Sequence, residues 1–126
     1  MKIILLGAPN SGKGTLARNL ENKYNLVGSL LENITINKEP DSIILEIDFC
    51  YWQQTDFIDG NKETGIVELY FSGCSQSEIS NHKINSDEIV KVEFTENSID
   101  ICVESDITND YHHIFISALN VEFTEL

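Results

Sequence analysis

Apolar and polar residues alternate along most of this chain. In "SIILEIDFCYW", Ile43, Leu45, Ile47, Phe49 and Tyr51 fall on one side while Glu46 and Asp48 fall on the other, the period of a strand with one buried face. "GIVELYF" repeats the pattern with Val67, Leu69 and Phe71 inward. In "EIVKVEFTENSIDICVE", Val90, Val92 and Phe94 answer Ile99, Ile101 and Val103 across a turn near Asn97, which predicts a hairpin. "HIFIS" and "LNVEFTEL" predict a closing pair of strands with Leu119, Val121 and Phe123 on one side, and Asn33 to Asn37 is one further candidate strand. Turn-forming residues separate these runs at Lys38 to Asp41, at Asp59-Gly60-Asn61, along "SGCSQSEISNHKINSD" from Ser72 to Asp87, and at Ser105 to Asp110.

The first 25 residues carry a different pattern. Lys2 to Leu6 is a short apolar run of the kind that forms a strand buried on both faces, as in parallel sheets. Past a turn from Gly7 to Gly12, Leu16, Leu20 and Tyr24 recur every fourth residue, with Arg18, Asn19, Glu21, Asn22 and Lys23 on the other side, as in an amphipathic helix. The predicted fold is therefore α+β and mostly β. A strand-loop-helix segment over residues 1–25 is followed by an antiparallel β-sheet or sandwich over residues 26–126.

Charge sharpens that division. Of the 126 residues, 41% are apolar and 23% charged, enough for one globular core and too few residues for a second full-sized domain. The net charge of −13 is unevenly spread. Residues 1–25 hold Lys2, Lys13, Arg18 and Lys23 against Glu21 alone, whereas residues 26–126 hold four lysines against 20 carboxylates. Such an acidic surface repels nucleic-acid backbones and anionic membranes and attracts basic proteins or cations. No run is long and apolar enough for a signal peptide or a membrane span, so the expected location is the cytoplasm. Cys50, Cys74 and Cys102 are odd in number and widely spaced, which points to buried thiols rather than disulfides or a zinc site.

One stretch names a chemistry. In "GAPNSGKGT", backbone N–H groups of a glycine-rich loop and a following helix N-terminus can converge on a polyphosphate, with Lys13 as a mobile point charge. Gly7 and Gly12 permit conformations that a Cβ forbids, and Asn10 is the non-glycine type best suited to positive φ. The candidate nucleotide-binding residues are Gly7, Asn10, Ser11, Gly12, Lys13, Gly14 and Thr15, with ATP or GTP as the nucleotide. Thr15 is also the candidate ligand for an accompanying Mg²⁺. A glycine-rich turn that holds no ligand is the alternative.

The segment from Met1 to about Leu26, with "MKIILLGAP", "GKGT" and "KYNL", resembles the start of the adenylate kinase family. Asn10-Ser11 departs from the family's usual Gly followed by a small residue. That resemblance implies nucleotide binding, but it ends near Leu26. Phosphoryl transfer needs arginines to clamp donor and acceptor phosphates, and this chain has only Arg18. The family's Thr-Gly-Asp acceptor motif is missing, and the remaining residues lack the strand-helix crossovers of a doubly wound sheet. A complete adenylate kinase is therefore not expected, and whether the chain is an enzyme stays open.

The acidic part, through "DSIILEIDFCYW" and "IVELYFSGC", resembles the immunity proteins of bacterial toxin systems without carrying a diagnostic motif. That resemblance implies a non-enzymatic module that binds a basic protein by charge complementarity, with the glycine-rich segment a relic or a fused piece; an acidic surface that merely keeps the protein soluble is the alternative. Lesser candidates carry less. His112 and His113 face opposite sides of a strand and His82 lies in a separate loop. Asp56, Asp59, Asn61 and Glu63 depart from the EF-hand order, so Asp59-Gly60 reads as a tight turn. Asn33-Ile34-Thr35 fits the glycosylation pattern with no secretion signal beside it, and among the aromatic residues Tyr51 reads as core while Trp52 stays open.

Overall fold

The alternating segments pair into one antiparallel sheet of nine strands in the computed structural model, which describes residues 2–5, 24–38, 41–55, 57–80, 83–95 and 98–126. In chain order the strands are β1 (Lys2–Leu5), β2 (Leu30–Lys38), β3 (Asp41–Cys50), β4 (Thr64–Ser72), β5 (Gln76–Ile79), β6 (Asp87–Phe94), β7 (Ser98–Glu104), β8 (Tyr111–Ser117) and β9 (Asn120–Glu125). Across the sheet they lie in the order β1-β9-β4-β3-β2-β6-β7-β8-β5. Among the described residues the helical content is one 3-10 turn, Tyr51–Gln53.

Alternation decides which side of each strand is buried. Ile43, Leu45, Ile47 and Phe49 of β3, Val67, Leu69 and Phe71 of β4, and Val121 and Phe123 of β9 share one core with Ile99, Ile101 and Val103 of β7 and Ile114 and Ile116 of β8. Each large side chain so buried stabilises the fold by roughly 1.5–3 kcal/mol of removed apolar surface. Aromatic rings close one end of this core. Phe49 meets Tyr51 edge-on at 5.1 Å and Phe123 at 5.3 Å, while Tyr24 stacks on Phe123 at 4.3 Å. Offset and edge-on pairs of this kind add to simple burial.

The sheet reaches one core from both halves because it bends where β2 meets β6. Only Leu30↔Glu88 and Leu31↔Asp87 pair there, and each strand has a register shift beside the join, between Leu31 and Asn33 in β2 and between Ile89 and Lys91 in β6. An extra residue in one strand bends it and increases its twist. Elsewhere the two halves are tied by Ser75 N–H to Ser117 O at 2.9 Å and Leu119 N–H to Ser72 O at 3.2 Å.

Several expectations change in this setting. The β6–β7 hairpin forms, but Ile89 rather than Val90 faces Val103. Val90 is the additional residue of the β6 bulge, after which Val92 and Phe94 fall into step with Ile101 and Ile99. "HIFIS" and "LNVEFTEL" both form strands without pairing to one another. Between Ser117 and Asn120 the chain crosses from one half of the sheet to the other, and Leu119 is left 53% exposed in that crossing instead of joining Val121 and Phe123. The stretch after Ser72 contains a strand, β5, in "QSEI", whose polar residues suit an edge.

The N-terminal run forms a strand as expected, but β1 lies antiparallel to β9 at one end of the sheet's strand order and has no parallel neighbour among the described residues. An antiparallel partner needs no crossover helix, and four residues suffice to occupy the free side of β9 from Asn120 to Phe123. Of the three thiols only Cys50 is buried, while Cys74 and Cys102 are half-buried. Tyr51 leaves the β3 pattern for the 3-10 turn yet still packs against the core, and Trp52 is 52% exposed. The predicted helix before Tyr24, the turn at Asn97, Asp56 and His82 lie outside the described residues.

Candidate functional site

The glycine-rich loop, with Gly7, Asn10, Ser11, Gly12, Lys13, Gly14 and Thr15, also lies outside the described residues. What the structure does bring together is the acidic chemistry of the rest of the chain. Because strand residues alternate, every apolar residue turned inward on β9, β4, β3 and β2 sends its neighbours to the outer face, and register aligns those neighbours in rows across the sheet. One row runs Glu122, Tyr70, Ile44, Thr35. The next runs Thr124, Glu68, Glu46, Asn33, and a third runs Ile66, Asp48, Leu30.

Glu122, Glu68, Glu46 and Asp48 therefore share one face with Tyr70, Ile44 and Ile66, all of them half-buried. Glu46 and Glu68 stand directly opposite one another, an arrangement that costs stability. None of the four carboxylates has an ion-pair partner among the described residues. Of the lysines whose side chains are described, Lys38 ends β2, Lys62 lies over the Tyr51 ring at 5.0 Å, Lys83 precedes β6 and Lys91 is on the other half of the sheet.

The outer face of that other half is acidic too, but partly neutralised. Glu88 faces Glu104 and Glu93 faces Asp100 across β6 and β7. Lys91 Nζ reaches Glu93 Oε1 at 2.7 Å, and His113 Nδ1 lies 3.2 Å from Asp100 Oδ1. The Lys91 ammonium, by hydrogen bond and by charge, holds the Glu93 carboxyl below its ordinary range, and Glu93 raises Lys91 in return. His112 and His113 do occupy opposite faces, paired with Val103 and Cys102 respectively. Burial pushes the Cys102 and Cys74 thiols up, with Asp100 and Asp41 adding to it, so neither is an activated nucleophile.

Beside the aromatic end of the core, Tyr51, Gln54, Phe57, Asn61, Lys62 and Glu125 line a cleft of about 340 Å³. Gln54 is committed to structure there. Its Nε2 donates to Cys50 O at 2.8 Å and Asn25 O at 2.9 Å, and its Oε1 accepts from Asn25 N–H at 2.8 Å. Asp59 and Gly60 form the tight turn expected of them, with Gly60 at φ +96° and Asn61 N–H bonded to Ile58 O at 3.1 Å. Among the described residues no three His, Cys, Asp or Glu side chains converge as metal ligands, and no helix is long and apolar enough to cross a membrane.

No protein-family model, curated protein or solved structure matches this chain. The spacing in the sequence already contained the acidic face, since Glu46, Asp48, Glu68 and Glu122 each sit between two inward apolar residues. What alternation alone did not reveal was that β9 lies beside β4, which adds Glu122 to a face otherwise made by β3 and β4.

Proposed function

We propose that this protein is a non-enzymatic binding module that receives a basic protein on the outer face of β9, β4, β3 and β2. The observation that carries this is the placing of Glu46, Asp48, Glu68 and Glu122 on one face without a described cation among them. Like charges held together in a sheet cost stability, and a cationic partner relieves that cost on docking. Tyr70, Ile44 and Ile66 between the carboxylates supply apolar and aromatic area for a partner to cover, which supports an interface over a merely solvated acidic surface. A net charge of −13 would speed encounter with such a partner and make it dependent on ionic strength.

The test is capture by the immobilised full chain, compared with a chain carrying Glu46→Gln and Glu68→Gln. The expected result is a strongly basic protein that is retained at low salt, released as salt rises, and bound more weakly by the double variant. Capture of no basic protein, or equal binding by both chains, overturns the reading.

A second reading keeps the N-terminal loop as a nucleotide site, because β1 ends at Leu5, directly ahead of "GAPNSGKGT". In that reading the backbone from Gly7 to Gly14 and the Lys13 ammonium hold the phosphates of ATP or GTP, and Thr15 holds Mg²⁺. The edge position of β1 and its antiparallel partner weigh against it, since phosphate loops of this kind follow a strand inside a parallel sheet. Calorimetric titration with Mg-ATP and Mg-GTP decides it. Heat that disappears in Lys13→Ala supports the nucleotide site, and no heat with either nucleotide removes it.

A further inference from the structure

Among the described residues, most of strand β2 is paired along one side. From Leu30 to Lys38 it forms a ladder with β3, but β6 covers it at Leu30 and Leu31 alone. By this register the second ladder would continue onto residues 86 back to 80, of which 81 and 82 lie outside the described residues; those next to the join are 83–86. They turn away through Ser86 at φ +52° and make no backbone bond to β2. Asn33 to Lys38 thus present a row of backbone groups that no described strand satisfies. Natural sheets guard such a row with charges, prolines or a covering element, and here the guard is Lys38 at the far end.

A second edge faces this one. β5 ends the sheet's strand order and, among the described residues, pairs only with β8. Between the end of β2 and the start of β5 lies a groove of about 260 Å³, lined by Ile36, Lys38, Asp41, Ile43, Gln76 and Ser77 among others. Ile36, an apolar side chain on the edge, is 54% exposed. At the start of this stretch stands Glu32, the additional residue of the β2 bulge, with Oε1 shut off from solvent and without a hydrogen-bond partner among the described residues.

We propose that this edge receives an extended segment of the basic partner, which adds as a strand to β2 along Asn33 to Lys38. The proposal rests on the acidic-face reading above and specifies how the partner is held. Main-chain hydrogen bonds to β2 would supply affinity, and alternate side chains would supply specificity. Register dictates their character. Side chains turned inward meet the side of Ile34 and Ile36, so they are apolar. Side chains turned outward join the row of Asn33 and Glu46, beyond which lies Glu68, so they are lysine or arginine. A second copy of this chain is the poorer occupant, because two bodies of net charge −13 would have to pair edge to edge beside their acidic faces.

The experiment uses the full chain and a probe peptide of alternating lysine and valine, about ten residues long to match a strand. Amide hydrogen exchange and fluorescence anisotropy supply the readouts. Amides within Asn33 to Lys38 that face the groove should exchange readily in the free protein and slow by roughly tenfold or more with saturating peptide. The same peptide N-methylated at alternate residues keeps its charge but lacks strand donors, and should bind about tenfold more weakly. Ile36→Lys, at an exposed position that leaves the core intact, should weaken the unmethylated peptide by a similar factor. If both changes leave affinity unaltered while Glu46→Gln with Glu68→Gln weakens it, strand addition is overturned and the acidic-face reading stands. If none of the changes matters, both fall. Protection of these amides in the free chain would mean that the chain already covers its own edge, which overturns the proposal. A dimer that forms with rising concentration and is lost in Ile36→Lys would assign the edge to a second copy and overturn it too.

Discussion

Replacing Glu68 should stabilise the fold and weaken partner binding in the same variant. Register sets Glu46 and Glu68 directly opposite one another on β3 and β4, and such pairs hold their Cβ atoms about 4.5–5.5 Å apart. With carboxylates about 6 Å apart, Coulomb repulsion is roughly 0.7 kcal/mol in a water-like dielectric and rises as the dielectric falls. Ions at physiological strength, with a screening length of about 8 Å, halve it again. Partial burial of both residues and screening thus oppose one another, and a repulsion of about 0.5 kcal/mol agrees with cross-strand pair energies. Glu68→Gln removes that repulsion at constant shape. Glu68→Lys replaces it by an attraction and should gain about twice as much. For a chain of this size the midpoint of thermal unfolding should rise by about 2 °C in Glu68→Gln and about 4 °C in Glu68→Lys. Circular dichroism melts at low salt and at about 1 M salt, where the screening length is about 3 Å, supply the check, because the gain should vanish at high salt. A lower midpoint for Glu68→Gln, or a gain indifferent to salt, would refute the electrostatic account. Loss of stability together with unchanged binding would refute the link to function as well.

Other consequences follow from the packing. Phe49→Ala removes a ring that touches Tyr24, Tyr51 and Phe123, so denaturant unfolding should show a loss of about 3–5 kcal/mol. Gly73→Ala should cost about 1–3 kcal/mol, since Gly73 has φ +66° and a Cβ there would lie 2.9 Å from Leu119 Cδ1. Gly60→Ala, strained at φ +96° but in open space, should lose less in the same melts. Lys91→Met should let the Glu93 carboxyl rise to its ordinary range in an NMR titration, because the Lys91 hydrogen bond and charge hold it down. The sign follows from the two shifts. Stability from the lowered Glu93 is present above the ordinary carboxylate range and lost as pH falls through its folded value. That from the raised Lys91 is present below the ordinary lysine range and lost as pH rises through its folded value. The pair should therefore serve across neutral pH, and an unchanged Glu93 titration in Lys91→Met would contradict it.

Alternation by itself determined a good deal about this protein. Ile43, Leu45, Ile47 and Phe49, Val67, Leu69 and Phe71, and Ile99, Ile101 and Val103 are inward in the structure as their spacing requires, and the carboxylates between them are outward. A period of two is a property of the extended backbone, so it survives any arrangement of strands. The tertiary structure decided what the period cannot carry. It placed β9 beside β4 and so completed the acidic face with Glu122. It put Ile89 in the place expected of Val90, because a bulge adds one residue and shifts the phase of everything before it. It recruited polar "QSEI" as an edge strand, where an exposed strand needs no apolar signature. It also ended the ladder between β2 and β6 at Leu31, so that no described strand pairs with the far side of Asn33 to Lys38. Pairing order, bulges and unpaired edges arise from segments distant in sequence closing over one core, and residues that meet only across that core leave no local trace of their meeting.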